Sequence, residues 1–124
     1  MDAREFLERY AAGERDFAGI DLSEVDLQNA DLRRVQLREA NLSKANLENA
    51  DLSETQLQGT ILEEANLRKV NFQRANLGET NFRRANLEEA TFREANFCSS
   101  NSVYTTFERA NVQGVDFSSC KMRS

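Results

Sequence analysis

Large apolar side chains recur at every fifth residue, and this period limits the chain more than any other feature. From Phe17 to Phe117 the register visits 21 positions, of which twelve are Leu and seven are Phe, leaving only Val112 and Ser102. Just one Leu and one Phe, Leu7 and Phe6, lie outside it. Two residues before most of these centre positions stands a small residue, most often Ala, as at Ala40, Ala65 and Ala90. Asp or Asn usually fills the place between, and two mostly polar residues follow the centre. A period of five sustained over a hundred residues matches neither the 3.6-residue helix nor the 2.0-residue strand. It matches a solenoid in which each pentapeptide makes one short side and one corner. The centre and the small residue point inward, and the other three point outward. Asp and Asn before the centre are expected at the corners, because their side chains hydrogen-bond nearby backbone groups.

Outward charges set the number of pentapeptides per coil. At the second residue after each centre, a separation of 20 residues gives eight opposite pairs and no like pair: Glu24–Lys44, Lys44–Glu64, Glu64–Arg84, Arg34–Glu54, Glu54–Arg74, Arg74–Glu94, Lys69–Glu89 and Glu89–Arg109. Separations of 15 or 25 give mostly like pairs. Residues stacked on adjacent coils stand about 4.8 Å apart, where like charges repel and opposite charges help slightly. One coil therefore takes four pentapeptides and has four sides. Residues 15–119 make about five coils, a rod on the order of 25 Å long.

The recurring Ala-(Asp/Asn)-Leu-x-x, as in Ala40-Asn41-Leu42-Ser43-Lys44 and Ala85-Asn86-Leu87-Glu88-Glu89, resembles the pentapeptide-repeat proteins. The resemblance covers most of the chain, from Arg15 to Ser119. It implies an all-β solenoid, the right-handed quadrilateral β-helix, with short bridges and turns in place of long strands. The lead-in from Tyr10 to Phe17 resembles the start of small cyanobacterial members.

A solenoid exposes core and unpaired backbone at its ends unless something covers them. Asp2 followed by Glu5 reads as an N-cap with its reciprocal partner, and Gly13 suits a C-terminal stop. Phe6, Leu7, Tyr10 and Ala11 fall at helical spacing, which predicts a capping helix over residues 2–12. The expected organisation is a cap in 1–14, a rod in 15–119 and a tail in 120–124. No comparable element follows the last repeat, so Phe107, Val112 and Phe117 are expected to meet a second copy in a homodimer through the C-terminal coil. The stretch from Cys98 to Tyr104 breaks the pattern, with Ser102 at a centre position and apolar Val103 and Tyr104 at outward ones. Local repacking or an exposed contact patch would each account for it.

Chemistry is sparse. The chain has no His and two Cys, so most metal sites and acid–base dyads lack their parts. In register, Cys98 points outward and Cys120 inward, which predicts two free thiols. Glu63-Glu64 and Glu88-Glu89 are the candidate acid–base pairs, but both are flanked by basic residues on a convex rod with no cleft to desolvate them. No cofactor is expected, and no enzyme. There is no run of about 18 apolar residues and no apolar leader in residues 1–9, which predicts no membrane association and a cytoplasmic location. Basic and acidic residues interleave, which argues against direct nucleic-acid binding. Among relatives implied by the resemblance are quinolone-resistance proteins that mimic DNA on gyrase. Mimicry needs an unneutralised acidic surface, whereas here acids alternate with bases and the net charge is only -5. The favoured reading is a non-enzymatic interaction or scaffold module with an unknown protein partner. Of the four outward rows, the one containing Gly59, Gly78, Cys98 and Ser99 is small and weakly charged, and with Val103 and Tyr104 it forms the candidate protein contact.

Overall fold

The computed structural model describes residues 1–98, 100, 105, 106 and 108–111. Its repeating unit follows from where each of five backbone amides goes. At the centre, the amide of Leu42 donates to the carbonyl of Ile61 on the next coil (2.7 Å). Just before it, the amide of Asn41 donates to Ile20 on the previous coil (2.9 Å). Two residues after the centre, the amide of Lys44 donates to Glu63 (2.8 Å), and the amide of Ala45 closes a turn onto Leu42 (3.1 Å). The fifth amide, that of Ser43, has no backbone carbonyl, and Asn41 Oδ1 accepts it at 3.0 Å. The same side-chain bond recurs from Asp16 to Asn96 wherever Asp or Asn precedes the centre. The recurring Asp/Asn thus satisfies a donor that the coil geometry would otherwise leave alone.

All described bridges are parallel and join each residue to the equivalent one four pentapeptides on, from Asp16–Gln36 to Thr91–Asn111. The coil length read from the charges is the coil length of the structure. Register also survives the irregular stretch, because Asn86 still pairs with Thr106. The Asp/Asn residues stand on the bridges, hence on the sides, while the two residues after each centre are the turn and form the corner. The charged rows therefore run along four edges of the prism. They are ridges, and the Asp and Asn expected at the corners lie between them on the sides.

The second corner residue has a positive φ throughout, at Glu54 (57°), Arg74 (59°) and Lys69 (60°), for example. With the closing bond onto the centre carbonyl, this is the pattern of a type II turn. Apart from Phe6, the described buried residues all occupy the centre position or the small position two before it. Three of the buried small positions are threonines, and their hydroxyls are satisfied inside. Thr60 and Thr80 donate to Leu37 and Leu57 on the preceding coil at 2.6 and 2.8 Å, while Thr55 donates within its own turn. From residue 72 Phe alternates with Leu in the core, and Phe72 stacks on Phe92 at 5.3 Å between ring centroids.

Helix α1 spans Ala3–Ala11. Asp2 caps it by accepting the amide of Glu5 at 2.8 Å, and Gly13 leaves it at φ 103°. The reciprocal half of the expected capping box does not form, because Glu5 pairs with Arg9 instead (2.8 Å). Its inward face also differs from the expected one. Phe6 is fully buried against Phe17 with centroids 4.6 Å apart, Ala3 and Tyr10 pack beside it, and Leu7 stays 36% exposed. Residues 3, 6 and 10 make one helical stripe, which leaves Leu7 about 100° away from Phe6. Tyr10 ties the helix to the rod by donating its hydroxyl to the Arg33 carbonyl at 2.8 Å, with Arg15 over its ring.

Candidate interaction surface

Three corner rows are laced by charge. Arg74 lies between Glu54 and Glu94 and reaches both, at 3.5 and 2.8 Å. Arg68 likewise joins Glu48 (2.7 Å) to Glu88 (3.5 Å). Arg109 contacts Glu88 and Glu89, Lys69 contacts Glu89, and Arg34 contacts Glu54. Five of the eight charge pairs read from the sequence thus close as ion pairs, 34–54, 54–74, 74–94, 69–89 and 89–109. The Glu48–Arg68–Glu88 ladder lies on the other corner residue. Opposite charges on successive coils announce it there too.

The candidate acid–base pairs are part of these ladders. Glu63 meets Arg83 at 3.4 Å, and Glu88 is held below the ordinary glutamate range, chiefly by the hydrogen bond from Arg109. Glu54 and Glu94 are lowered in the same direction by Arg34 and Arg74. A general acid at neutral pH needs the opposite displacement. Among the described residues no group of His, Cys, Asp and Glu could hold a metal ion, and no helix is long and apolar enough to cross a membrane.

The fourth corner row carries Ala18-Gly19, Arg38-Glu39, Gln58-Gly59 and Gly78-Glu79, followed by Cys98. A depression of about 330 Å³ lies along it, lined by Ala18, Arg38, Glu39, Gln58, Gly59 and Glu79. Gly19 and Gly59 hold the positive-φ place at 73° and 69°, as Glu and Arg do elsewhere, so the backbone does not demand glycine there. A Cβ at Gly59 would come within 3.3 Å of the Glu39 Cγ and otherwise make ordinary contacts with the Glu39 backbone at 3.9–4.0 Å. The structure thus brings Gly59, Gly78 and Cys98 onto one edge. Of the other expected contact residues, Ser99, Val103 and Tyr104 lie outside the described residues, as do the dimer-end residues Phe107, Val112 and Phe117.

One expectation is corrected. Cys98 is disulfide-bonded and is not a free thiol. The expectation extended strict register to Cys120, but coil-to-coil bonds fix side-chain direction only as far as Asn111 among the described residues. Cys120 itself lies outside them.

Known proteins place this architecture. The family model for pentapeptide repeats matches in overlapping segments that span residues 16–123, with eight copies. The chain belongs to the pentapeptide-repeat family, whose fold is the right-handed quadrilateral β-helix. It is similar to the crystal structure of a pentapeptide-repeat protein from the cyanobacterium Cyanothece, at 28% identity over 87% of this chain and 93% of that one, with a TM-score of 0.60. It is also similar to a pentapeptide-repeat protein of the Arabidopsis thaliana thylakoid lumen, at 34% identity over 88% and 69% of the two chains, with a TM-score of 0.61. Among curated proteins none matches this chain.

Proposed function

We propose that this chain is a non-enzymatic protein-interaction or scaffold module. In this reading residues 1–14 form a cap, 15–119 a rod of about five coils and 120–124 a tail, and the protein works in the cytoplasm without a cofactor. The observation that supports it is the asymmetry of the four edges: two are neutralised by ladders of ion pairs and a third carries Glu63–Arg83, whereas the fourth is low, hollowed and free of such pairs among the described residues. Neutralised ridges resist close approach by another chain, because each pair must be desolvated. A low edge with small side chains admits one. The partner surface is the row of Gly59, Gly78, Cys98 and Ser99, extended by Val103 and Tyr104, and a homodimer through Phe107, Val112 and Phe117 would leave it open.

The experiment is affinity capture with the wild-type chain beside Gly59→Arg and Ser99→Arg. A partner retained by the wild type and lost with both variants, while their circular dichroism is unchanged, is the expected result. Retention by both variants rejects this edge as the contact. Light scattering at high micromolar concentration tests the homodimer, which a monomeric mass would exclude.

A further inference from the structure

The arginine ladders contain their own template for a ligand. At two edges a single guanidinium sits between two glutamates, one a coil above and one a coil below, and bonds both: Arg74 between Glu54 and Glu94, and Arg68 between Glu48 and Glu88. On the low edge the same arrangement is built without a cation on its middle rung, and Arg38, beside Glu39 in the lining of the depression, forms no ion pair among the described residues. Glu39 and Glu79 occupy equivalent corner positions, with φ of 57° at both, and the rung between them is Gly59. Two coil steps separate the glutamates, about 10 Å, so a cation midway reaches either. Neither carboxylate forms an ion pair among the described residues, and the 330 Å³ depression lies where an arginine side chain would run. Its lining includes Gln58, whose buried Oε1 has no hydrogen-bond partner. Buried oxygens of this kind are nearly always bonded in folded proteins.

We propose that this gap receives an arginine side chain from a partner protein, its guanidinium bridging Glu39 and Glu79 as Arg74 bridges Glu54 and Glu94. The inference rests on the reading of the molecule as an interaction module and names the chemistry of what binds. Guanidinium suits the gap better than ammonium because its planar fork presents several donors to carboxylates on both sides. The depression also offers depth for the aliphatic stem.

The test is a titration of the full ¹⁵N-labelled chain with acetyl-Gly-Arg-Gly-amide, followed by amide shifts, with the citrulline peptide as the uncharged isostere. Saturable shifts centred on Gly59 and Gly78, at least fivefold weaker with citrulline and in the double variant Glu39→Gln/Glu79→Gln, are expected. Gly59→Arg places the missing cation within the chain. It should abolish the response without loss of thermal stability, since Arg34, Arg74 and Arg84 adopt the same backbone at φ 59–64°. Equal responses to both peptides, persistence in Gly59→Arg, or shifts spread over every ladder would overturn the proposal. Failure here remains distinguishable from failure of the broader reading. A captured partner that is lost with Ser99→Arg but kept by Glu39→Gln/Glu79→Gln preserves the edge and removes the arginine gap.

Discussion

At the scale of single residues, the position before each centre carries the most consequence. Its Asp or Asn takes the amide two residues on, and the bond recurs between Asp16 and Asn96, as from Asn41 to Ser43, Asn71 to Gln73 and Asn81 to Arg83. Ile61 breaks this rule. It is 37% exposed and leaves the Glu63 amide without the side-chain acceptor that its neighbours on the same side, Asn41 and Asn81, supply. Ile61→Asn should stabilise the fold by about 0.5–1 kcal/mol by completing one net hydrogen bond, and Asn81→Ala should cost about 1 kcal/mol by removing one. Guanidinium denaturation of both variants measures this. A destabilised Ile61→Asn beside a neutral Asn81→Ala would show that the bonds carry no net stability. The need for this residue type is visible in the sequence because it is local: acceptor and donor are near neighbours in the same turn. The first coil uses Asp four times, and later coils mostly use Asn. Asn66 shows why, since its amide donates to Asn46 Oδ1 at 3.2 Å, which a carboxylate could not do. The stacked aspartates Asp31 and Asp51 have Arg33 against them, at 2.9 and 4.0 Å.

At the scale of elements, legibility depends on whether the cause is local. Core positions and coil length are written as periods, one pentapeptide for the inward residues and four for the charges, so both could be read directly. The left-handed corners could not. Glu, Lys and Arg stand where a turn search looks for Gly or Asn, and each such residue costs about 1 kcal/mol in isolation. What holds them there is a bond across coils, as when the Lys44 amide meets the Glu63 carbonyl, and its two ends lie almost a full coil apart in sequence. For the same reason the charged rows turned out to follow corners. The candidate contact was legible as a row of small residues, while its depression and unpaired glutamates needed coordinates. Helix α1 shows a third case, in which amphipathic spacing admits several faces and docking selects one. The single stripe of Ala3, Phe6 and Tyr10 implies that attachment of the helix depends on Phe6. Phe6→Ala should cost about 3–5 kcal/mol, because it opens a cavity against Phe17 and removes the T-shaped ring contact. Leu7→Ala, from a residue 36% exposed, should cost less than about 1 kcal/mol. Equal effects in chemical denaturation would mean that the helix packs on a different face.

At the scale of the whole molecule, stability and charge separate cleanly. The Leu and Phe column is continuous from Phe17 to Phe92 and carries the fold, while the ladders lie on exposed edges where ion pairs contribute little. Their effect is to make the rod sensitive to acid. Glu54, Glu88 and Glu94 lie below the usual glutamate value of 4.5, held there by hydrogen bonds from Arg34, Arg109 and Arg74. Asp21 is lowered by the Ser23 amide and Asp31 by Arg33, each from the usual 3.8. A carboxylate whose pKa is depressed by folding binds fewer protons in the folded chain than in the unfolded one. Its contribution is complete above the unfolded value and fades as pH falls through the folded one. The melting temperature should therefore be level between about pH 5 and 8 and decline below about pH 4.5. Arg74 offers the discriminating variant, because it serves two of these glutamates at once. Arg74→Gln should melt below the wild type at pH 7, and the gap should close as pH falls through the lowered pKa values of Glu54 and Glu94, because Arg74 then has no anion to hold. Sodium chloride at about 0.5 M should narrow the same gap at pH 7, since it screens exposed pairs. A gap that stays constant across pH and salt would instead assign Arg74 a packing role through its aliphatic stem, and the acid decline would then belong to the carboxylates held by other groups, Glu54 by Arg34, Glu88 by Arg109, Asp21 and Asp31.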